Sequence, residues 1–366
     1  MRTSFFSLLT ISTLSLGIAA CGGAVADFEP NGDEANADDE HDAGSGGAGG
    51  ADGEDIGDED DDAGAGGGDG GDEDDGGTEP SIPTIPFACP GGTIAPGENA
   101  ITVDGKERTF FADFPSDTSS PMGVVFAWHG YGDLAANFRS ALGLDPNANP
   151  SHPLIVVTPE DANLQPIGGQ GQGLDWDILA GKPGDDNIDL AFFEAMLGCL
   201  NEQHSLDASR VYSLGFSAGS VFTALLHSRY PDLFAATVHF SGAWMNDPEQ
   251  TKLVPNFVPL EWSWPDLDPA DGGHVLLTHG GPGDEVGAMG FTLINLEDAA
   301  QAALPFLATA NRTVVDCAHD DGHVLHPELT SAMIVNYLTA HRAGAESPYA
   351  GGTLEGLPES CTLRLP

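Results

Sequence analysis

The sequence predicts an α/β fold in which a mostly parallel central sheet carries helices on both faces. Short continuous apolar runs, typical of strands that are covered on both sides, recur between residues 123 and 318. Segments whose apolar residues have helical spacing alternate with these runs. One run, 211–216, passes through a glycine-flanked turn directly into such a segment. This alternation predicts parallel strands joined by right-handed crossovers.

The predicted domain opens with an antiparallel hairpin, because 101–103 and 108–114 flank the tight-turn pair Asp104-Gly105. Further strands are predicted, in chain order, at 123–128, 153–159, 211–216, 234–240, 274–278 and 313–318. Helices are predicted from Asp186 to about 205, from 218 to about 230, at 296–309 and from Pro327 to 341. A glycine-rich loop at 160–185 and a stretch with five prolines at 246–272 interrupt the alternation.

The first 80 residues are expected to lie outside the folded domain, which we place at 81–366. Arg2, the apolar stretch 5–16 and the small residues before Cys21 have the layout of a signal peptide at 1–20. Because the cleavage site adjoins a cysteine, the segment resembles a bacterial lipoprotein signal, which implies a lipid anchor on Cys21.

Residues 21–80 are predicted to form a disordered acidic linker behind that anchor. The stretch 22–80 contains 22 acidic residues, no Lys or Arg, and long runs of Gly and Ala. The residue after the cysteine is Gly22 and not the aspartate that retains such lipoproteins at an inner membrane. This favours the outer membrane or the cell surface. We therefore expect an extracellular or surface-exposed protein.

The charge of the chain excludes several classes of partner. The formal net charge is −46, and the 35 acidic and 10 basic residues of 81–366 leave the folded part at about −25. Nucleic acids and anionic membranes are bound through Lys and Arg. We therefore expect no nucleic-acid partner, and membrane contact only through the lipid anchor.

Four cysteines follow the anchor, at Cys89, Cys199, Cys317 and Cys361. An even number in an exported protein, without Cys-x-x-Cys spacing, indicates two disulfides and not a zinc site. Three pairings are possible. We favour Cys89 with Cys199 and Cys317 with Cys361; four buried thiols are the alternative.

The segment 210–221 carries the main chemical signal. Its strand ends at Gly215-Phe-Ser217-Ala218-Gly219 and a helix begins at once. A sharp turn of this kind exposes the hydroxyl of Ser217 and points the N–H of Ala218 into the same space. Ser217 is the candidate nucleophile and Ala218 a candidate oxyanion donor. The alternative is an ordinary glycine-rich turn, because a chain with 49 glycines produces Gly-x-Ser-x-Gly by chance.

Other candidate groups follow other predicted strands. Tyr131, after His129-Gly130 at the end of 123–128, is assigned the second oxyanion donor, with a plain turn as the alternative. Asp284 follows 274–278 and His323 follows 313–318. The carboxyl ends of parallel strands open on one side of a sheet, so these groups can meet Ser217 there.

The chain order serine, acid, histidine is that of the α/β-hydrolase arrangement. In this arrangement His323 takes the proton of Ser217, and Asp284 orients the imidazole. Glu285 remains an alternative acid, and His319 and His326 remain alternative bases.

No metal or cofactor is expected. The loop 319–326 gathers metal-capable side chains, but it lacks the helical i, i+4 spacing that directs two histidines at one ion. The sequence also contains no Gly-x-x-x-x-Gly-Lys-Ser/Thr run, and no Gly-x-Gly-x-x-Gly that follows a predicted strand and opens a helix. The loop tryptophans Trp176, Trp262 and Trp264 are candidates for substrate contacts, with simple packing as the alternative; 246–272 is interpreted as a cap or groove wall.

From about residue 99 to 342 the chain resembles the secreted esterase group that includes polyhydroxybutyrate depolymerases, feruloyl esterases and acetylxylan esterases. The matching pieces are His129-Gly130, Asp185-Asp186, Asp207-Ala-Ser-Arg210 before Gly215-Phe-Ser-Ala-Gly219, His279-Gly280 and Gly322-His323. The resemblance implies an α/β-hydrolase fold with Ser217, Asp284 and His323 as a catalytic triad.

By this resemblance the chain is expected to be a surface-anchored serine esterase that cleaves carboxylic esters through an acyl-enzyme. Polyhydroxyalkanoate, feruloyl and acetyl esters are the substrate types it implies. An extra residue between Gly280 and the acid keeps Glu285 as an alternative, and 324–327 lacks the tryptophan usual in the group. A serine peptidase on the same fold and a catalytically silent carbohydrate- or polymer-binding module are the other hypotheses.

Overall fold

The structure is a computed structural model that describes residues 83–162, 174–254, 261–269, 273–288 and 291–366. The predicted signal peptide 1–20, Cys21 and the linker 21–80 lie outside the described residues. All described residues fall in one structural unit. Among them, no helix combines the length and the apolar character needed to cross a membrane.

The described chain contains eleven strands and six helices. The strands are β1 Gly97–Val103, β2 Lys106–Asp113, β3 Met122–Trp128, β4 Leu154–Pro159, β5 Leu206–Phe216, β6 Phe234–Phe240, β7 His274–His279, β8 Glu285–Ala288, β9 Phe291–Asn295, β10 Thr313–Ala318 and β11 Cys361–Arg364. The helices are α1 Ala135–Leu142, α2 Ile188–Gln203, α3 Ala218–Arg229, α4 Pro248–Thr251, α5 Leu296–Thr309 and α6 Ser331–Ala340.

Nine strands form one sheet in the order β1-β2-β4-β3-β5-β6-β7-β10-β11. The six strands from β4 to β10 in this order run parallel to one another. The predicted hairpin β1–β2 and the short strand β11 extend the two edges in antiparallel fashion. Strands β8 and β9 pair as a separate hairpin. The predicted mostly parallel sheet is therefore confirmed.

Alternate residues of the central strands enter two separate hydrophobic cores. In β3, Val124 and Phe126 belong to one core, and Val125 and Ala127 belong to the other. Helices α2, α3 and α5 contribute to the first core, whereas α1 and α6 contribute to the second. Because both faces are covered in this way, every residue of β3 is buried. This double burial explains the continuous apolar runs of the sequence.

Two predicted helix starts are wrong. Helix α2 is capped by Asn187 and not by Asp186, because the Asn187 side chain accepts the N–H groups of Asp189 and Leu190. Helix α6 begins four residues after Pro327, where the side chain of Thr330 caps it. The hairpin β8–β9 and the strand β11 were not predicted.

The structure contains two disulfides, Cys89–Cys199 and Cys317–Cys361, which is the pairing favoured from the sequence. The first joins the segment before β1 to α2. The second joins β10 to the edge strand β11, where the two cysteines lie opposite each other in the ladder. Disulfides persist in oxidising compartments, so this covalent pattern is typical of an exported protein.

Candidate active site

Ser217 lies at the sharp turn between β5 and α3. Its backbone has φ 53° and ψ −118°, in a region that non-glycine residues rarely occupy. Glycine is required two residues before and two residues after Ser217, because a larger residue would not fit at either position. A Cβ atom on Gly215 would lie 2.1 Å from the carbonyl oxygen of Gly219, and one on Gly219 would lie 2.1 Å from the carbonyl oxygen of Trp128. The serine is thus held out of the strand on a tightly packed turn.

A histidine and a carboxylate extend from Ser217 in one line of hydrogen bonds. The Nε2 atom of His323 lies 2.9 Å from Ser217 Oγ. Its Nδ1 atom lies 2.7 Å from Asp284 Oδ1. The imidazole is 22% exposed and the carboxylate is fully buried, so the chain of contacts runs from the protein surface into the interior. The ring of Phe216 packs against His323 with centroids 4.8 Å apart.

The buried carboxylate of Asp284 is satisfied on both oxygens. Oδ2 accepts the backbone N–H of Gly280 at 2.8 Å and the hydroxyl of Ser241, also at 2.8 Å. With the contact to His323, three hydrogen bonds therefore satisfy this buried side chain. No role for Ser241 was predicted from the sequence, although it follows β6 at the same sheet edge, which was the available signal.

The alternative acid and bases have other partners. Glu285 is exposed in β8 and accepts the hydroxyl of Thr292 at 2.9 Å. His319 lies 3.7 Å from Asp321, and His326 pairs with the hydroxyl of Ser360 at 3.1 Å. The hydroxyl of Ser217 bonds instead to His323. The metal-capable side chains of the described loop 319–326 do not form a group that could hold one ion. Among the described residues, the side chains close enough to share a metal ion are those of His129, Glu160 and Asp161.

The two candidate oxyanion donors belong to backbone that adjoins Ser217. The N–H of Ala218 is at the first position of α3, where no acceptor is available within the helix. Tyr131 follows Gly130, and a Cβ on Gly130 would lie 3.3 Å from the Cβ of Ser217. The turn 129–132 therefore runs directly beside the serine.

The prediction that Trp176 lines a substrate groove is wrong. Its ring is fully buried, packs edge-on against Trp128 and donates its N–H to the carbonyl of His129 at 2.9 Å. Trp264 is also buried, at 3% exposure, and donates to the carbonyl of Ile178. Both rings consequently serve the core. Trp262 is partly exposed and packs on Trp264, so it stays a candidate for substrate contact.

The expected cap at 246–272 is only partly within the described residues. Its first part contains α4, whose N-cap is Asp247. Its last part pairs with the chain before α2, because Ser263 exchanges backbone hydrogen bonds with Leu179 and Gly181. Residues 255–260 and 270–272 lie outside the described residues.

Comparison with known proteins points to esterases. A family model described as esterase PHB depolymerase matches residues 176–251, which include the Ser217 turn. The chain is 26% identical over 183 residues to feruloyl esterase D of Neurospora crassa, covering 46% of this chain and 61% of that protein. It is 31% identical over 154 residues to feruloyl esterase B of Thermothelomyces thermophilus, covering 37% of this chain and 48% of that protein.

A bacterial protein matches over a segment of similar length. The chain is 29% identical over 136 residues to poly(3-hydroxyalkanoate) depolymerase C of Paucimonas lemoignei, covering 36% of this chain and 30% of that protein. The chain thus spans less than two thirds of the length of each of these three relatives.

Solved structures identify the fold. Native sOPH superposes with a TM-score of 0.61 at 21% identity, over 76% of this chain and 98% of that chain. Native pOPH gives a TM-score of 0.58 at 20% identity, over 76% and 97%. The protein therefore has the α/β-hydrolase fold predicted from its sequence. The sequence matches show that part of the chain, including the Ser217 turn, is similar to esterases.

Proposed function

We propose that this protein is a serine esterase with Ser217 as nucleophile, His323 as general base and acid, and Asp284 as the residue that orients the imidazole. The observation that carries this proposal is the line of contacts of 2.9 and 2.7 Å from the hydroxyl through the imidazole to a buried carboxylate. A serine hydroxyl is a weak nucleophile until a base accepts its proton, and this line supplies the base.

The proposed reaction has two halves. In the first, Ser217 Oγ attacks the ester carbonyl while its proton moves to His323 Nε2, and that proton then leaves with the alcohol. The bond between carbonyl carbon and alcohol oxygen breaks, and the acyl group remains on Ser217. In the second half, water attacks the acyl-enzyme while one of its protons moves to Nε2. The bond between the acyl carbon and Ser217 Oγ then breaks, Nε2 returns the proton to Oγ, and the acid leaves.

Negative charge on the carbonyl oxygen is stabilised by the N–H groups of Tyr131 and Ala218. This assignment of the two donors is supported by the position of the turn 129–132 and of the start of α3 beside Ser217. Loss of one such donor typically costs about 3 kcal/mol of transition-state stabilisation. The reaction uses no cofactor.

The substrate class follows the names of the similar proteins, so we propose feruloyl, acetyl or hydroxyalkanoate esters, with Trp262 as a contact for the acyl or alcohol group. We further propose export by the signal at 1–20, lipid attachment at Cys21 and display of the domain from residue 81 on the acidic linker. Mass spectrometry of the N-terminal peptide, with Cys21 intact or replaced by serine, tests the anchor.

Hydrolysis of 4-nitrophenyl butyrate by the full chain tests the activity. Ser217→Ala is expected to lower kcat at least about 10³-fold with an unchanged circular dichroism spectrum. Ser140→Ala, at an exposed position in α1, is the matched control and retains the wild-type rate. A folded Ser217→Ala variant with the wild-type rate contradicts the proposal. Faster cleavage of a matched 4-nitroanilide than of the ester favours the peptidase hypothesis instead.

A further inference from the structure

A second group of ionisable side chains lies at the ends of β3 and β4. His129 directly follows β3, and Glu160 and Asp161 directly follow β4. The Nε2 atom of His129 lies 3.5 Å from Asp161 Oδ2 and 3.8 Å from Glu160 Oε1. One ligand atom from each residue lies within 4.8 Å of the other two. The proposed esterase reaction uses none of these side chains.

The hydrogen bonding of His129 determines which ring nitrogen faces the acids. The imidazole is fully buried, and its Nδ1 lies 2.9 Å from the carbonyl oxygen of Gly130. A carbonyl only accepts hydrogen bonds, so Nδ1 carries a proton and donates it. In the neutral ring, Nε2 then presents a lone pair.

This lone pair lacks a donor. Among the described residues, Nε2 of His129 has no hydrogen-bond partner, although it is buried and directed at Glu160 and Asp161. A nitrogen lone pair that faces two carboxylate oxygens is unfavourable unless positive charge lies between them. The geometry therefore favours a cation between the three side chains.

A third carboxylate lies beside the same turn. Asp175 accepts the N–H of Gly132 and interacts electrostatically with His129, Glu160 and Asp161. Three carboxyl groups thus lie near one imidazole.

We propose that His129, Glu160 and Asp161 bind one divalent transition-metal ion, for which Zn²⁺ is the best match, as a structural site beside the turn 129–132. Imidazole nitrogen and carboxylate oxygen bind zinc at about 2.0–2.2 Å, which places tetrahedral ligand atoms about 3.4 Å apart. The separations of 3.5 and 3.8 Å from Nε2 agree with that spacing.

The surroundings of the three ligands also suit a metal ion. The bond from Nδ1 of His129 to a backbone carbonyl is the outer contact that a metal-binding histidine usually makes. The side chain of Glu160 is 31% exposed, so an ion can enter from solvent and Glu160 can adjust to it. The ion fastens the end of β4 to the turn that carries Tyr131. This differs from the sequence-based expectation of no metal, which considered the loop 319–326.

Zinc binding to the metal-free full chain tests the site through stability and stoichiometry, independently of ester hydrolysis. With Zn²⁺ at about 100 times its Kd, the wild-type protein is expected to melt about 5 °C higher. Glu160→Gln and Asp161→Asn each keep the side-chain shape and abolish this rise, together with one bound equivalent in equilibrium dialysis.

Asp321→Asn is the matched control, because Asp321 is an exposed acid that also adjoins a buried histidine, His319. It is expected to retain the full rise in Tm. Ions bound by the acidic stretch 22–80 contribute equally to all variants. No rise in the wild type at 1 mM ZnCl₂, or an equal rise in Glu160→Gln and Asp161→Asn, overturns the proposal.

Discussion

Ser217 differs from an ordinary serine through contacts that come from three separate strand ends. Its own strand β5 supplies the strained turn, the segment after β10 supplies His323, and the segment after β7 supplies Asp284. The residue after β6, Ser241, adds a hydrogen bond to the carboxylate. Each contact is short in space and distant in sequence, so the folded sheet is what brings the proposed catalytic groups together.

The two neighbouring acids give a sharp test at this scale. Asp284→Asn is expected to lower kcat about 10⁴-fold, because an amide cannot hold the imidazole tautomer that accepts the serine proton. Glu285→Gln is expected to keep kcat within about twofold, since Glu285 is exposed and bonds to Thr292. Steady-state kinetics on 4-nitrophenyl butyrate measure both. A larger loss in Glu285→Gln than in Asp284→Asn would reverse the assignment of the acid.

At the scale of elements, the central strands were predictable because each is buried on both faces and therefore apolar throughout. Strands β6 and β10 and helix α5 have the bounds expected from the sequence. Strand β11 was not predictable, because it is a half-exposed edge of four residues. The hairpin β8–β9 was missed because its strands are short and the first contains a glycine.

Candidate site residues were predictable where they follow strands, and not where packing decides their position. The triad candidates all lie at carboxyl ends of strands, which the alternation of elements marks in the sequence. Trp176 was misplaced because the glycine-rich stretch 160–185, in which Asp175 and Asp177 flank it, was interpreted as a loop. Both carboxylates are in fact accommodated inside the protein, where burial raises the pKa of each to about 6.

The tight turn at Ser217 predicts that Gly219 cannot be replaced. A Cβ atom there would lie 2.1 Å from the backbone oxygen of Trp128, which cannot move without shifting β3. Gly219→Ala is expected to cost about 3 kcal/mol or more and to lower Tm by several degrees. Gly351→Ala, where a Cβ meets nothing within 4 Å, is the control and leaves Tm unchanged. Equal Tm values for the two variants would contradict the packing described for the turn.

At the scale of the whole molecule, buried histidines predict sensitivity to acid. Burial lowers the pKa of His239 and of His341 to about 3. In the unfolded chain these histidines have a pKa near 6.5. Between that value and about 3 the unfolded state therefore binds more protons, and stability falls as the pH falls. Asp175 and Asp177 have raised pKa values and act in the opposite direction below about pH 6.

The net expectation is a lower Tm at pH 5.5 than at pH 7.5. Each such histidine lowers the free energy of unfolding by about 1.4 kcal/mol over this interval. His239→Asn isolates one contribution. The variant is expected to be less stable at pH 7.5 because the ring packs on Trp244, but its further loss of Tm at pH 5.5 is smaller than that of the wild type. An identical change in Tm in the two proteins would show that the pKa of His239 is the same in the folded and unfolded states.

The central claim of an acyl-transferring serine is tested most directly by covalent labelling. Mass spectrometry of the full chain after treatment with a 4-nitrophenyl alkylphosphonate, followed by peptide mapping, identifies the residue that attacks. The account predicts one adduct, on Ser217, formed in parallel with loss of esterase activity and strongly slowed in His323→Ala. Complete inactivation with the adduct on another residue, and Ser217 unmodified, would contradict it.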